Sequence, residues 1–101
     1  MPGAFVYILS NKSHTLYTGF TTDLRRRFHE HLDGVYPGSF TARYHFDRLV
    51  YYEVLESLDQ AMKRERQIKN MQRDQKVRLI QAMNPNWLDL SPRLNPLRLF
   101  E

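Results

Sequence analysis

Two tyrosines, an arginine, a histidine and a glutamate stand out in this sequence for what their types and spacing could do. Tyr7 and Tyr17 flank a short polar link at residues 10–15, so a hairpin closed there can bring both phenols to one face. Arg27 and His31 are four residues apart, which on a helix is one face, and they share it with Leu24 and Phe28. Glu65 falls at helical spacing between Met62 and Ile68, on the side that Leu58, Met62 and Ile68 mark as buried. A carboxylate there is costly unless it is paired or holds a cation. Alone, each residue has a plain structural reading: a strand aromatic, a solvated arginine, a packed histidine, a glutamate in a helical ion pair. Together they are the set that phosphodiester cleavage needs. That reaction requires positive charge on the pentavalent transition state, a group to activate water and, usually, a divalent metal. A lone carboxylate suits one Mg²⁺ that keeps several waters and takes its other ligands from the substrate.

These residues must be held by a small set of elements. Phe5-Val6-Tyr7-Ile8-Leu9 reads as a strand, and Leu16-Tyr17-Thr18-Gly19-Phe20 as its antiparallel partner. Gly19 inside the second strand points to a bulge or a close approach by another backbone or a ligand. Thr21-Thr22-Asp23 offers N-caps for a helix over residues 24–32, with Leu24, Phe28 and Leu32 as its apolar stripe. Residues 35–43 read as a loop turned by Pro37-Gly38, and Leu49-Val50-Tyr51-Tyr52-Glu53-Val54-Leu55 as the third strand. Ser57 and Gln60 have capping-box spacing before a helix reaching about Met71, its core side carrying Leu58, Met62 or Ala61, Ile68 and Met71. A further amphipathic helix spans residues 76–83, and Asn84-Pro85-Asn86 stops it. The expected fold class is α+β, with a small three-stranded antiparallel sheet flanked by helices in the order β-β-α-β-α-α. The expected domain covers residues 1–83. Residues 84–101 form a proline-interrupted tail that packs on the domain or on a protein partner.

Composition bounds the partners. A chain of 101 residues can bury one modest core. With no cysteine, disulfides and thiolate metal sites are excluded, which suits a reducing cytoplasm. No apolar run is long enough for a membrane span, and the N-terminus lacks the pattern of a signal peptide. The net charge of +4 favours a polyanionic partner, nucleic acid first. The charge is clustered: Arg25-Arg26-Arg27 form one group, and Lys63, Arg64, Arg66, Lys69, Arg73, Lys76 and Arg78 another, opposed there only by Glu65 and Asp74. His14, His29 and His45, and likewise Tyr51, Tyr52 and Trp87, read as packing or surface residues.

At the chemistry-bearing positions the sequence resembles the GIY-YIG nuclease superfamily, and within it the stand-alone, single-domain bacterial branch. Phe5-Val6-Tyr7 matches the first motif element and Tyr17-Thr18-Gly19 the second; Arg27 and His31 match the helix residues, and Glu65 the metal-binding glutamate. Phe40-Thr41-Ala42-Arg43, Arg64-Glu65-Arg66-Gln67-Ile68-Lys69 and Asn84-Pro85-Asn86-Trp87-Leu88-Asp89-Leu90 are similar to segments of that branch. Phe5 stands where the name-giving glycine would be and Thr18 where the isoleucine would be, positions that carry no chemistry in the family. The resemblance implies a metal-dependent endonuclease acting on nucleic acid, DNA ahead of RNA, in repair or recombination. Glu65 would bind Mg²⁺ or Mn²⁺, Tyr7 would help deprotonate water, Tyr17 and Arg27 would hold the phosphate, and His31 would relay a proton or orient a tyrosine. Which of Tyr7, Tyr17 and His31 is the general base stays open, since a free phenol near pKa 10 needs help from a cation. Gly19, Arg43 and Lys69 are the candidate nucleic-acid contacts. The alternative is a nucleic-acid-binding module of the same fold without useful catalysis.

Overall fold

Alternation of side chains across strands decides this architecture. The computed structural model describes residues 3–33 and 44–94. Strand β1 (Ala4–Ser10) is central, with β2 (Leu16–Thr21) and β3 (Arg48–Leu55) antiparallel on either side, in the order β2-β1-β3. Every second residue of β1 points to one face, and both faces are buried. Tyr7 and Leu9 pack with Leu24, Phe28, Phe46, Leu49 and Leu90 on one side, whereas Val6 and Ile8 pack with Val50, Tyr51, Ile68 and Ile80 on the other. A bulge opposite Ile8 and Leu9 sets Val50 and Tyr51 both on this second face.

Helix α1 (Leu24–Leu32) covers the first face, and α2 (Leu58–Lys69) with α3 (Arg73–Met83) the second. The β-β-α-β-α-α order and the three-stranded antiparallel sheet are as the sequence leads one to expect. Asp23 caps α1 by accepting from the Arg26 N–H at 3.1 Å, and Ser57 caps α2 by accepting from the Gln60 N–H at 3.1 Å. Three details depart from the sequence reading. Leu32 is exposed and His31 takes its place in the buried stripe of α1. Leu58 and Met62 are exposed at 43% and 41%; of the residues expected on the core side of α2, Ala61 and Ile68 are the ones it buries. Helix α3 starts three residues early, at Arg73, where the Gln75 side chain accepts from the Gln72 N–H at 2.9 Å.

Beyond α3 the chain returns along β3. Asn84 is buried and its Nδ2 donates to the Val50 carbonyl at 3.1 Å. The Leu49 N–H donates to Asp89 Oδ1 at 3.1 Å, and the Leu90 N–H to the Leu49 carbonyl at 2.7 Å. A short 3₁₀ helix (Ser91–Leu94) then meets α1. No helix among the described residues is long and apolar enough to cross a membrane.

Candidate active site

The β1–β2 register builds the centre of the site. Tyr7 pairs with Gly19 across the hairpin and Leu9 with Tyr17, so Tyr7 and Tyr17 are diagonal neighbours on the α1 face. Their ring centroids lie 6.4 Å apart. Gly19 is where the close approach occurs: a Cβ built on it would meet the Tyr7 hydroxyl at 2.5 Å. The Tyr7 ring thus lies directly over the glycine, toward the β2 edge of the sheet.

Helix α1 supplies the rest. One turn separates Arg27 from His31, and the buried His31 ring lies 5.9 Å from Tyr7 and 5.3 Å from Tyr17, edge-on to the latter. His31 Nε2 is 3.0 Å from the Tyr7 hydroxyl. Burial lowers the His31 pKa, and the Arg27 charge lowers it further against an opposing pull from Glu30. A neutral imidazole carrying its proton on Nδ1 accepts the Tyr7 O–H at Nε2. Arg27 is half-buried, its Nε 3.6 Å from Glu30 Oε1.

Glu65 comes from the other side of the sheet, on α2, which packs against β1 and β2. Its side chain is only 14% exposed, and its Oε1 pairs with Lys69 Nζ at 3.3 Å. Tyr7, Tyr17, Arg27 and His31 are therefore gathered on one face and Glu65 and Lys69 approach from the other. The helix that carries Glu65 packs on β1 and on β2, an edge strand that includes Gly19. Among the described residues no three His, Asp or Glu side chains cluster as a ready-made metal site. Arg43 lies outside the described residues.

One network was hidden from sequence reasoning. Arg64, beside Glu65 on α2, donates from Nε to both carboxylate oxygens of Glu53 on β3 at 3.0 Å each, and the Tyr51 hydroxyl donates to the same carboxylate. Burial, then the bond to Glu53, pushes the Tyr51 pKa up to about 12, so it stays a donor. The ion pair ties α2 to β3 one residue from Glu65. Its only trace in the sequence is the coexistence of Glu53 and Arg64 in separate segments.

A three-stranded antiparallel sheet between helices in this order is consistent with the fold of the nuclease superfamily resembled above. The family model described as the GIY-YIG catalytic domain matches residues 3–78. A UPF0213 protein of Syntrophus aciditrophicus is 42% identical over 81 residues, covering 80% of this chain and 92% of its own length. Another from Clostridium perfringens is 38% identical over 78 residues, covering 77% and 83%. The UPF0213 protein of Bacillus halodurans, solved by NMR in solution, matches with a TM-score of 0.55 at 32% identity, over 85% of this chain and 90% of that one. The chain belongs to the GIY-YIG family, among its stand-alone UPF0213 members.

Proposed function

We propose that this protein is a metal-dependent endonuclease that hydrolyses phosphodiester bonds in nucleic acid, with DNA ahead of RNA as substrate. The observation that carries the reading is the Tyr7–His31 contact of 3.0 Å beside Tyr17 and Arg27, at the sheet edge that α2 approaches with Glu65. A water held near the Tyr7 hydroxyl loses its proton to that oxygen as the phenol passes its own to His31 Nε2. The lowered His31 pKa keeps Nε2 free to accept near neutral pH. Tyr17 and Arg27 hold the phosphate, and the guanidinium offsets charge that develops on it. Gly19, with no side chain, leaves room for the Tyr7 hydroxyl over the β2 backbone, which places that oxygen at the proposed phosphate site.

The donor set fits one hard divalent cation. Glu65 is a mostly buried carboxylate that already holds a cation, the Lys69 ammonium, and a single protein carboxylate suits Mg²⁺ or Mn²⁺ completed by water and substrate. Such an ion would supply Lewis acidity at the scissile phosphate. Lys69, whose partner in this structure is Glu65, would be available as a phosphate contact if Glu65 held the ion. A role in repair or recombination in the cytoplasm suits a cysteine-free chain with little surface for reading base sequence.

The test is cleavage of single-stranded, duplex and branched DNA, and of RNA, with Mg²⁺ or Mn²⁺, by the wild type beside Glu65→Ala and Arg27→Ala. Loss of two or more orders of magnitude in both variants, with unchanged melting temperature, is expected. Equal cleavage by all three proteins would defeat the assignment. A wild type that binds nucleic acid in a salt-sensitive way and cuts none of these substrates would leave a binding module.

A further inference from the structure

The far end of the β1–β2 hairpin carries a second arrangement that the tyrosine cluster does not use. His14 sits in the turn with a left-handed φ of 58°, and Trp87, after α3, has a left-handed φ of 53°. Left-handed backbone is unusual for a side chain as bulky as tryptophan. The two rings stack with centroids 4.4 Å apart and planes 4° from parallel. His14 remains exposed, and Trp87 is half-buried, packed against the core cluster that holds Val6 and Ile8.

The turn is held firmly. Asn11 Oδ1 accepts from the N–H groups of Ser13 and Thr15, both at 3.0 Å, and Asn11 Nδ2 donates to the Tyr44 carbonyl at 2.8 Å. Arg73 clamps the turn from α3, donating to the His14 carbonyl at 2.7 Å. A cleft of about 320 Å³ opens here, lined by Ser13, His14, Thr15, Leu16, Arg73 and Lys76. His14 lines the cleft and Trp87 does not, so a ligand entering it meets the histidine and not the indole. Lys76 makes no ion pair among the described residues.

We propose that this cleft seats one unpaired nucleobase on the open face of His14, with Arg73 and Lys76 against the adjoining phosphates. The proposal rests on the nucleic-acid reading above and adds to it a contact for single strands. A planar ring backed by a second ring is a stacking platform already in place, and stacking tolerates any base. A paired base has both faces taken by its neighbours, so the platform selects unpaired nucleotides. The shared chemistry is base plus phosphate, which either DNA or RNA supplies.

Trp87 is the sole tryptophan, so its fluorescence reports directly on the platform. Without divalent metal, so that nothing is cut, the full chain is titrated with oligothymidylate, with oligouridylate and with a DNA duplex of equal length. The expected result is a saturable change in Trp87 emission with at least one single strand, which names the source, at an affinity well above that for the duplex. His14→Gly removes the ring and accepts the left-handed backbone without strain, so the variant keeps its fold. Anisotropy of a labelled single strand should show it binding about ten-fold more weakly. Arg73→Ala and Lys76→Ala should weaken binding as well. Equal affinity for duplex and single strand, or unchanged binding by His14→Gly, overturns the proposal. Failure of the nuclease reading is separable, since these measurements involve no cleavage: single-strand binding that depends on His14 in a protein that cuts nothing would sink the enzyme alone.

Discussion

A methyl group on Gly19 would sit 2.5 Å from the Tyr7 hydroxyl and 2.6 Å from its Cζ. The Tyr7 ring cannot yield, because it is buried and its hydroxyl is tied to His31. Gly19→Ala should therefore destabilise the fold by about 2 kcal/mol through overpacking and push the Tyr7 hydroxyl away from His31. Thermal melting checks the first effect; a fall in kcat larger than that of the whole-fold loss, on a cleavable substrate, checks the second. His31 gives a prediction in pH. Its folded-state pKa lies below the ordinary 6.5, so below that value the unfolded chain binds the proton more readily than the fold does. The stability this histidine contributes is fully present above pH 6.5 and is lost as pH falls through the window beneath it. Melting temperature should drop on the acid side of neutrality in the wild type and drop less in His31→Gln; parallel curves would refute the linkage. The gathering of Tyr7, Tyr17 and His31 on one face was legible by type and spacing, because hairpin register and the helical repeat bring them together, whereas the roles of these residues, of Arg27 and of Glu65 rest on the set they form. The pairing of His14 with Trp87 was not legible, since it joins a hairpin turn to a segment at the other end of the chain.

At the scale of elements, the strands and their order could be read because β-branched and aromatic runs broken by polar turns have few other solutions. The phase of α2 is only partly legible. Two stripes compete in its sequence, one through Leu58 and Met62 and one through Ala61 and Ile68, and Glu65 is adjacent to both. The sheet takes the second, because small Ala61 lets the helix sit close and Arg64 then reaches Glu53 on β3. That ion pair is non-local, so helical periodicity alone could not weigh it. Arg64→Met should test it. The Glu53 carboxylate, about a fifth exposed, would lose its charge partner while keeping only the Tyr51 hydroxyl, at a cost of about 2 kcal/mol. Because α2 also carries Glu65, the variant should need more Mg²⁺ for half-maximal cleavage, and Arg64→Lys should recover part of the loss. Unchanged metal dependence in a destabilised Arg64→Met protein would reduce the ion pair to a fold anchor. The start of α3 was set three residues late for a similar reason: Arg73, Asp74 and Gln75 are exposed and polar, so apolar periodicity begins only after the helix has begun.

For the molecule as a whole, the two proposed sites share strand β2. Strand β2 runs from the cleft, where Leu16 forms part of the wall, to Gly19 beneath Tyr7, three residues and therefore about 10 Å away. That is roughly three nucleotides at the 3.4 Å rise per strand of a stacked helix. Arg73 and Lys76 line the cleft, and Arg27 and Lys69 are the cations proposed for the cleavage site, on a chain of net charge +4. Each phosphate neutralised releases condensed counterions, so about four contacts on a single strand give a slope of roughly −3 in log affinity against log salt. The double variant Arg73→Ala/Lys76→Ala should reduce that slope to roughly half, because two of the four contacts are gone. Measured by anisotropy without divalent metal over about 50–200 mM salt, a wild-type slope that the double variant leaves unchanged would mean that the hairpin end lies off the path of the strand. A slope near zero in the wild type would remove the electrostatic basis for nucleic-acid binding altogether, whatever chemistry the tyrosine cluster performs.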